Sequence, residues 1–574
     1  MVKFDSNGHQ KKAGQFPGRR KLLAGVMFAG MLLLVARAVD LQVLNKQFLQ
    51  NQGDLRHVDA VTVPAYRGRI LDRDGEPLAI STPVLSIWID PQRFVCDDER
   101  QLQQLASVLQ MPEKKLHRRV DAAAGRRFLY LKRQVSPALA ASVKAMQFPG
   151  LYFQREFKRF YPAGEVTGHL LGFTNIDDVG QEGLELAYEE NLKGISGSKR
   201  VIRDGKRRII ADVEDIKQPV AGRDLRLSID QRLQYLAYRE LKAAFIEHRA
   251  HAAEAIVLDA KTGEILAAVN QPSFNPNTRK NLRGNRYRNR VVTDVFEPGS
   301  TIKPFVVACA LDNAAISPDV TIETHGWMRV GRNVVKDVHN YGTLDLTHVL
   351  KKSSNVAASK IALRMTPKTF WGCYDRLGFG QSAAVGFPGE ASGNLLDYRQ
   401  WHRFEQATLS FGYGLSTSLL QLARAYTALA DDGMLHSASL LQREADPDAR
   451  QVLSRDTAIR VRTMLEQVLT RGGTAYRARV DGYRVAGKTG TVKKASAGGY
   501  SRDKYLAVFV GLAPASAPRL VVAVMVDEPG NGDYYGGLVA GPVFARIMAG
   551  ALRVLKIAPD QEQTMPMLLV KRDE

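Results

Sequence analysis

The first 44 residues constrain this chain more than any later stretch. Residues 1–21 carry Lys3, Lys11, Lys12, Arg19, Arg20 and Lys21 against a single acid, Asp5. Leu22 to Ala36 then run 15 residues without a charge (LLAGVMFAGMLLLVA). Arg37 and Asp40 interrupt, yet Ala38, Val39, Leu41, Val43 and Leu44 continue the apolar pattern. Counted to Leu44, the stretch is 23 residues, about 35 Å of helix and enough to cross a bilayer. Arg37 can snorkel toward headgroups from the outer boundary, and the basic flank predicts a cytoplasmic N-terminus. A 15-residue run is also the length of a signal-peptide core, and Ala36-Arg37-Ala38 imitates a small-x-small cleavage site. A buried core helix is the third alternative. The apolar positions beyond Ala38 favour the uncleaved anchor, and an anchor and a cleaved signal both export the rest of the chain. No later stretch is an uninterrupted apolar run of about 18 residues, so one span is expected.

The chain carries 80 basic against 59 acidic side chains, a net charge of +21. Such a balance raises nucleic acid, an anionic membrane or an acidic substrate as partners and says nothing about fold. Apolar residues at 45% and charged residues at 24% exclude a disordered or fibrous chain. At about 150 residues per domain, the length leaves room for three or four domains. Cys96, Cys309 and Cys373 are too few and too scattered for a disulfide framework or a metal site. Their odd number permits at most one bridge.

After Leu44 a polar stretch reads as a helical stalk entering a strand. Residues 60–220 mix strand-like runs such as Leu85–Ile89 with basic helical segments such as Arg100–Leu116. Two Gly-rich stretches, residues 67–75 and 180–185, have the composition of turns. His9, His57, His117 and His169 are isolated. From Asp224 the texture changes: Leu225–Ile229 alternates like a strand, and Asp230 is placed to cap a helix over Gln231–Ala244. Ala255–Leu258, residues 259–263 and Glu264–Val269 read as strand, turn, strand. Apolar helices follow at Lys303–Asn313, Leu346–Leu363, Leu419–Asp431 and Arg455–Leu469, then strands at Leu506–Leu512 and Leu520–Val526. Strands, helices and strands again predict an α+β domain whose antiparallel sheet is assembled from both ends of the region.

Three short patterns carry the chemistry. Ser-x-x-Lys occurs at Ser196/Lys199, Ser300/Lys303 and Ser501/Lys504; Ser-x-Asn at Ser273/Asn275, Ser353/Asn355 and Ser392/Asn394; Lys-Thr-Gly at Lys261 and Lys488. Context separates them. Ser300 follows Glu297-Pro298-Gly299 and precedes an apolar run with Pro304 in its first turn, so it opens a helix. At i and i+3, Ser300 and Lys303 share a face. Ser353-Ser354-Asn355 opens a helix, and Lys488-Thr489-Gly490-Thr491 continues a strand whose Gly490 admits close approach to the backbone. The alternatives lie in flexible loops or, at Lys261, in a hairpin turn.

The surviving set fits acyl transfer. Serine needs a base within hydrogen-bond reach, and Lys303 serves if burial and a second cation, Lys488, keep its amine neutral. Ser353 is placed to relay a proton to the leaving amine and Asn355 to hold a substrate amide. Backbone N–H groups of Ser300 and Thr491 form an oxyanion hole. Thr489, Gly490 and Thr491 suit a substrate carboxylate and a peptide added beside the strand.

These motifs, in this order, resemble the active-site motifs of penicillin-binding proteins and serine β-lactamases. Arg67-Gly68, Asp72-Arg73, Leu78-Ala79, Arg159, Tyr161-Pro162, Gly168-His169 and residues 180–185 are similar to the pedestal of class B penicillin-binding proteins. Phe296–Ser300, Tyr413-Gly414-Leu415 and Ala540–Phe544 match the same class. Arg37-Ala38-Val39 and Leu41-Gln42 resemble the anchor of its division-specific members. The resemblance implies a basic tail at 1–21, a transmembrane helix at 22–44, an α+β pedestal (dimerisation-type) domain at 45–220, a transpeptidase domain at 221–558 and a tail at 559–574. It implies a peptidoglycan D,D-transpeptidase in which Ser300 attacks the penultimate D-Ala of a stem peptide, with Lys303, Ser353, Asn355 and Lys488 as catalytic partners. It further implies acylation by β-lactams, no metal or cofactor, and an inner-membrane location with the catalytic domain periplasmic. The partners implied are peptidoglycan stem peptides, a membrane glycan polymerase and other divisome proteins, with nucleic acid excluded.

The rival readings are a β-lactamase or D,D-carboxypeptidase, an elongation-specific transpeptidase, a bifunctional enzyme with a glycosyltransferase, and a penicillin-sensing protein. The region of about 160 residues ahead of the motifs argues against a simple β-lactamase, and its lack of an acidic catalytic pattern argues against the glycosyltransferase. The basic run Arg279, Lys280, Arg283, Arg286, Arg288 and Arg290 is either a solvated loop or a surface for anionic strands.

Overall fold

The apolar N-terminal run folds as expected into a helix in the computed structural model, which describes residues 17–46, 58–96, 98–203, 209–278, 284–496 and 499–561. Residues 1–16 of the basic tail, most of the stalk, Arg279, Lys280, Arg283 and the tail beyond 561 lie outside the described residues. Pro17–Val39 is α-helical and Asp40–Leu44 continues it as one wider π turn. Its large apolar side chains are exposed, among them Leu22 at 72% and Leu44 at 75%. The two charges that interrupt the pattern neutralise each other: Arg37 Nη1 lies 2.5 Å from Asp40 Oδ2. The stretch Gly18–Leu44 is 27 residues long, about 40 Å of helix. A later apolar helix, Gly536–Val554, has the same length class but buries Val539, Phe544 and Ile547, so it is a core helix.

The chain divides into two compact units, residues 1–65 with 195–220 and residues 66–194 with 221–574. The first holds the N-terminal helix and a three-stranded antiparallel sheet with Gly197–Arg203 between Val58–Val63 and Ile209–Lys217. In the second, the long strand Pro77–Ile89 pairs antiparallel with Leu129–Val135 and Leu151–Phe160. Ile87, Ile89 and Leu131 pack there against Leu105, Leu116 and Val143 of covering helices. The expected helical segment Arg100–Leu116 is two helices, Glu99–Val108 and Glu113–Asp121. Pro112 has no N–H to continue the ladder, and Gln110 turns the chain with φ +53°. The expected strand Leu225–Ile229 shrinks to Leu225–Arg226. Leu227 N still bonds Leu71 O at 2.9 Å, but Ser228 N bonds Leu440 O at 2.9 Å, so the chain changes partner.

The two Gly-rich stretches meet around a buried ionic cluster. Arg67 Nε donates to Glu185 Oε2 at 2.8 Å, Arg67 Nη1 to Glu189 Oε2 at 2.7 Å, and Arg159 Nε to Glu185 Oε1 at 2.7 Å. Glu185 is fully buried. Gly180 closes the approach, because a Cβ there would lie 2.0 Å from Glu185 O.

The remainder of the second unit is built on a five-stranded antiparallel sheet. Its strands are β1 (Ala252–Asp259), β2 (Ile265–Gln271), β3 (Ala486–Ser496), β4 (Gly499–Ala513) and β5 (Leu520–Asp527), ordered β2-β1-β5-β4-β3. The sheet therefore is drawn from both ends of the region, as the α+β reading requires. The turn at residues 259–263 is the β1–β2 hairpin, with Gly263 at φ +70°. Helix α1 (Gln231–Glu247) starts at Asp230, whose carboxylate accepts from Arg232 N at 2.9 Å. Helices α1 and α6 (Gly536–Val554) pack together against the sheet, and Leu419–Ala430 packs on β1 and β5. Between β2 and β3 come α2 (Lys303–Asp312), α3 (Leu346–Lys352), α4 (Asn355–Ala362) and α5 (Pro367–Arg376). Cys309 of α2 and Cys373 of α5 form a disulfide, the one bridge that three cysteines permit.

Glu185→Ala strands two buried guanidinium groups at once. The expected cost is about 3–5 kcal/mol, read as a lowered midpoint of denaturant unfolding. A loss below about 1 kcal/mol would show that the cluster is not what holds these segments together.

Candidate active site

Ser300 sits where a tight turn becomes a helix. Gly299–Ile302 is a single 3-10 turn, and α2 continues from Lys303 with Pro304 in its first turn. Gly299 has φ +56°, and a Cβ there would lie 2.5 Å from Val492 Cγ2 on β3. The turn is pinned by Thr301 Oγ1 donating to Pro298 O at 2.6 Å and by Tyr426 OH donating to Thr301 O at 2.7 Å. Gly490 of β3 faces this turn, since a Cβ there would come within 2.9 Å of Thr301 Cγ2. The missing side chain admits the serine turn to the strand.

Lys303 is fully buried, one helical turn after Ser300. Its Nζ donates to Ser353 O at 2.5 Å and Asn355 Oδ1 at 2.7 Å, with Ser353 Oγ at 3.2 Å. The hydrogen bond expected between Ser300 and Lys303 is not made; the amine turns toward the second motif instead. The apolar helical run Leu346–Leu363 is two helices that part there to receive it, and the second motif opens the later one as expected. Ser353 is left-handed (φ +59°), ending α3, and Ser354 caps α4 by accepting from Ala357 N at 3.0 Å. A left-handed serine is costly, and here it aims its carbonyl at an amine.

Lys488 reaches the same hydroxyl from the sheet. Its Nζ lies 3.0 Å from Ser353 Oγ and 3.2 Å from Thr489 O. Burial pulls Lys488 down to a pKa of about 7. Lys303 is held well below the usual lysine range, by burial first and by the neighbouring Lys488 charge second, while Asp337 pulls the other way. A neutral Lys303 has two N–H bonds, and the two closest acceptors, Ser353 O and Asn355 Oδ1, take both. The lone pair is then left for a proton from a hydroxyl.

Thr489 Oγ1 donates to Thr474 Oγ1 at 3.0 Å, and Thr491 Oγ1 accepts from Gly536 N at 3.0 Å. Thr491 keeps its own hydroxyl hydrogen for an incoming anion. Residues Lys488, Thr489, Gly490 and Thr491 lie on β3, the sheet's edge strand, so alternate backbone groups there point away from β4.

The sequence reading missed Asp337. Its Oδ2 accepts from Ser354 Oγ at 2.5 Å, and its Oδ1 accepts from Asn355 N at 2.5 Å and Val356 N at 3.0 Å. Asp337 thus fixes the start of α4 from 17 or more residues upstream, a distance at which no local pattern announces a cap. Thr474 and Gly536 were missed for the same reason. The alternative motif copies are not drawn in: Lys261 pairs with Asp431 at 2.5 Å, Ser501 bonds Asp503 at 2.8 Å and Ser273 bonds Glu165 at 3.1 Å.

Residues 253–549 match the family model of the penicillin binding protein transpeptidase domain, and residues 62–227 match that of the penicillin-binding protein dimerisation domain. The chain is 43% identical over 542 residues to a probable peptidoglycan D,D-transpeptidase PenA of Neisseria meningitidis, covering 94% of this chain and 92% of that one. It is 40% identical over 547 residues to the peptidoglycan D,D-transpeptidase FtsI of Escherichia coli K12, with the same coverages of 94% and 92%. Among solved structures, the apo TP domain of penicillin-binding protein 3 from Burkholderia pseudomallei matches with TM-score 0.55 and 47% identity, over 58% of this chain and 98% of that one. A peptidoglycan synthetase from Bifidobacterium adolescentis shares the fold with TM-score 0.71 at 24% identity, over 88% and 98%.

The two buried lysines should titrate far from the ordinary value of about 10.4. Side-chain NMR of selectively labelled lysine is expected to show Lys488 changing charge near pH 7 and Lys303 well below its usual range. The apparent values belong to the coupled pair. Ordinary titration of both would refute the neutral-amine arrangement.

Proposed function

The chain belongs to the class B penicillin-binding proteins, and from that membership we propose how its residues carry out acyl transfer. It is a serine-type peptidoglycan D,D-transpeptidase. The observation that carries the assignment of roles is the single hydroxyl, Ser353 Oγ, lying within 3.2 Å of Lys303 Nζ and 3.0 Å of Lys488 Nζ.

Ser300 is the nucleophile. Neutral Lys303 takes the Ser300 hydroxyl proton as Oγ bonds to the penultimate D-Ala carbonyl carbon. The developing oxyanion is held by the backbone N–H groups of Ser300 and Thr491. The C–N bond to the terminal D-Ala then breaks, and the departing nitrogen takes its proton through Ser353, supplied from the lysine pair. An amine of a neighbouring strand attacks the acyl-enzyme carbonyl, the ester bond to Ser300 Oγ breaks, and the proton the amine loses returns along the same path to Ser300. Asn355 holds the substrate amide, while the Lys488 charge and the Thr491 hydroxyl receive the substrate carboxylate, which Thr489 joins only by giving up its hydrogen bond to Thr474. β-Lactams acylate Ser300 by the same first step. Their acyl-enzyme is expected to persist, because the sequence carries no second carboxylate motif of the kind that deacylates β-lactams in class A β-lactamases, and Asp337 beside the second motif is committed to Ser354, Asn355 and Val356.

The pedestal is assigned to residues 45–220, the transpeptidase domain to 221–558, and the exposed apolar helix to a membrane anchor at 22–44 that leaves the catalytic domain outside the inner membrane. The buried Cys309–Cys373 disulfide supports an oxidising compartment. We place the enzyme in septal synthesis, supported by the anchor pattern and the full-length similarity to FtsI, with a glycan polymerase and other divisome proteins as partners of the anchor and pedestal. Depletion should give filaments; rounded cells would place it in elongation instead.

Fluorescent penicillin is expected to label the wild-type protein and not Ser300→Ala. An unlabelled wild type would remove the enzyme reading. Acylation kcat/KM should rise with pH as Lys303 loses its proton and fall above about 7 as Lys488 loses its own.

A further inference from the structure

Glu254 of β1 is only 2% exposed, and its Oε2 has no hydrogen-bond partner. Buried carboxyl oxygens are nearly always bonded, so this one marks a place where a donor belongs. Glu254 lines a cavity of about 470 Å³ that also includes Val295, Phe296, Glu297, Val492 and Lys494. Glu297 is three residues before Ser300, and Val492 directly follows Thr491. Across the sheet Glu254 pairs with Met525, Met525 with Val508, and Val508 with Gly490. Paired residues share a face, so Glu254 lies on the face that receives the Ser300 turn, three strand spacings or about 14 Å from Gly490.

Of the other acids of the cavity, Asp294 and Asp527 already hold cations, while Glu297 has only neutral donors, Gly414 N at 2.9 Å and Tyr500 OH at 3.0 Å on Oε1. Asp294 Oδ2 is 2.8 Å from Arg288 Nη2 and 3.0 Å from Arg290 Nη1, so two bases of the sequence's basic run are spent on it. Lys494 Nζ lies 2.7 and 2.9 Å from the Asp527 oxygens and 2.7 Å from Glu528 Oε1. His251 Nδ1 is 3.1 Å from Asp527 Oδ2. His251, Asp527 and Glu528 could between them ligate a metal, but the central position is taken by the Lys494 ammonium. That ammonium shows what the wall of this cavity accommodates. Glu254 and Glu297 are the carboxyls left without one, each with an unpartnered buried Oε2, and among the described residues Glu254 has no other partner to hold it.

We propose that the cavity is a subsite for a primary ammonium group on the donor peptide, seated on Glu254. The proposal rests on the transpeptidase reading and deepens it, adding recognition of an amine-bearing side chain ahead of the D-Ala-D-Ala end. Burial keeps the empty carboxyl neutral, with Asp294 and Asp527 reinforcing that state and Arg288 and Arg290 opposing it. An arriving ammonium keeps its own protons, and Glu254 releases one to solvent as the ion pair forms. The amine is recognised and not consumed.

The test uses the full-length protein and two donors, Nα-acetyl-lysyl-D-Ala-D-Ala and its Nε-acetylated counterpart. The wild type should favour the free amine by at least about 10-fold in kcat/KM, the worth of one charge-assisted hydrogen bond. Glu254→Gln, which keeps shape and loses charge, should bring that ratio close to one, with penicillin acylation checking that the Ser300 site is intact. Should Glu254→Gln fail to fold, Val295→Lys decides from the exposed rim: a tethered ammonium that fills the seat should also erase the preference. Equal use of the two donors by the wild type, or a preference that survives in the informative variant, overturns the proposal. Absence of penicillin acylation in the wild type would instead remove the transpeptidase reading itself.

Discussion

The site depends on one constraint: two lysine amines are buried within reach of one serine hydroxyl. An ammonium loses several kcal/mol of hydration on burial, and two facing each other add repulsion, so at least one must give up its proton near neutral pH. The surrounding atoms settle which. Lys303 is met by two oxygens, Ser353 O and Asn355 Oδ1, at 2.5 and 2.7 Å; Lys488 lies against Ser353 Oγ and its own neighbour Thr489. A neutral amine exhausts its donors on the first arrangement and keeps a lone pair. The pairing turns two ordinary cations into a base beside the proposed nucleophile and a charge for an anionic substrate.

Much of the fold around the site serves to hold these groups still. The α3–α4 break presents Ser353 in a strained conformation, and such strain persists only where the surroundings over-determine it. Asp337 supplies part of that, tying Ser354 and the first N–H groups of α4 to one carboxylate. The Cys309–Cys373 bridge joins the helix that follows Ser300 to a helix beyond Asn355, closing the chain around the second motif. Gly299 and Gly490 remove the side chains that would keep the serine turn off the edge strand. The buried Arg67–Glu185–Arg159 cluster gives residues 66–194 a polar anchor of a different kind, in which Glu185 meets both guanidinium groups at once.

Local chemistry made much of the rest legible. Asp230 announced α1 because a cap needs only its own next few residues. The β1–β2 turn was legible from Asp, Lys and Gly, and β5 from an unbroken apolar run rich in valine. The failures share a cause. Arg100–Leu116 has a helical period, and Pro112 overrode it. Leu225–Ile229 alternates like a strand, and the ladder ended where the chain changed partners. Leu346–Leu363 is apolar enough for one helix, but there the second motif marked the start of a new one, and only the left-handed turn at Ser353 that meets a buried amine was illegible.

By itself the sequence determined the apolar helix, the α+β class with a sheet closed from both ends, and the three motifs in order, because each rests on neighbours a few residues apart. The tertiary structure decided which copies of those motifs meet. It turned Lys303 away from Ser300 and toward Ser353, brought Asp337 to the head of α4 and left Glu254 without a partner. Those outcomes depend on burial and on charges placed side by side by the fold, and a linear pattern carries neither.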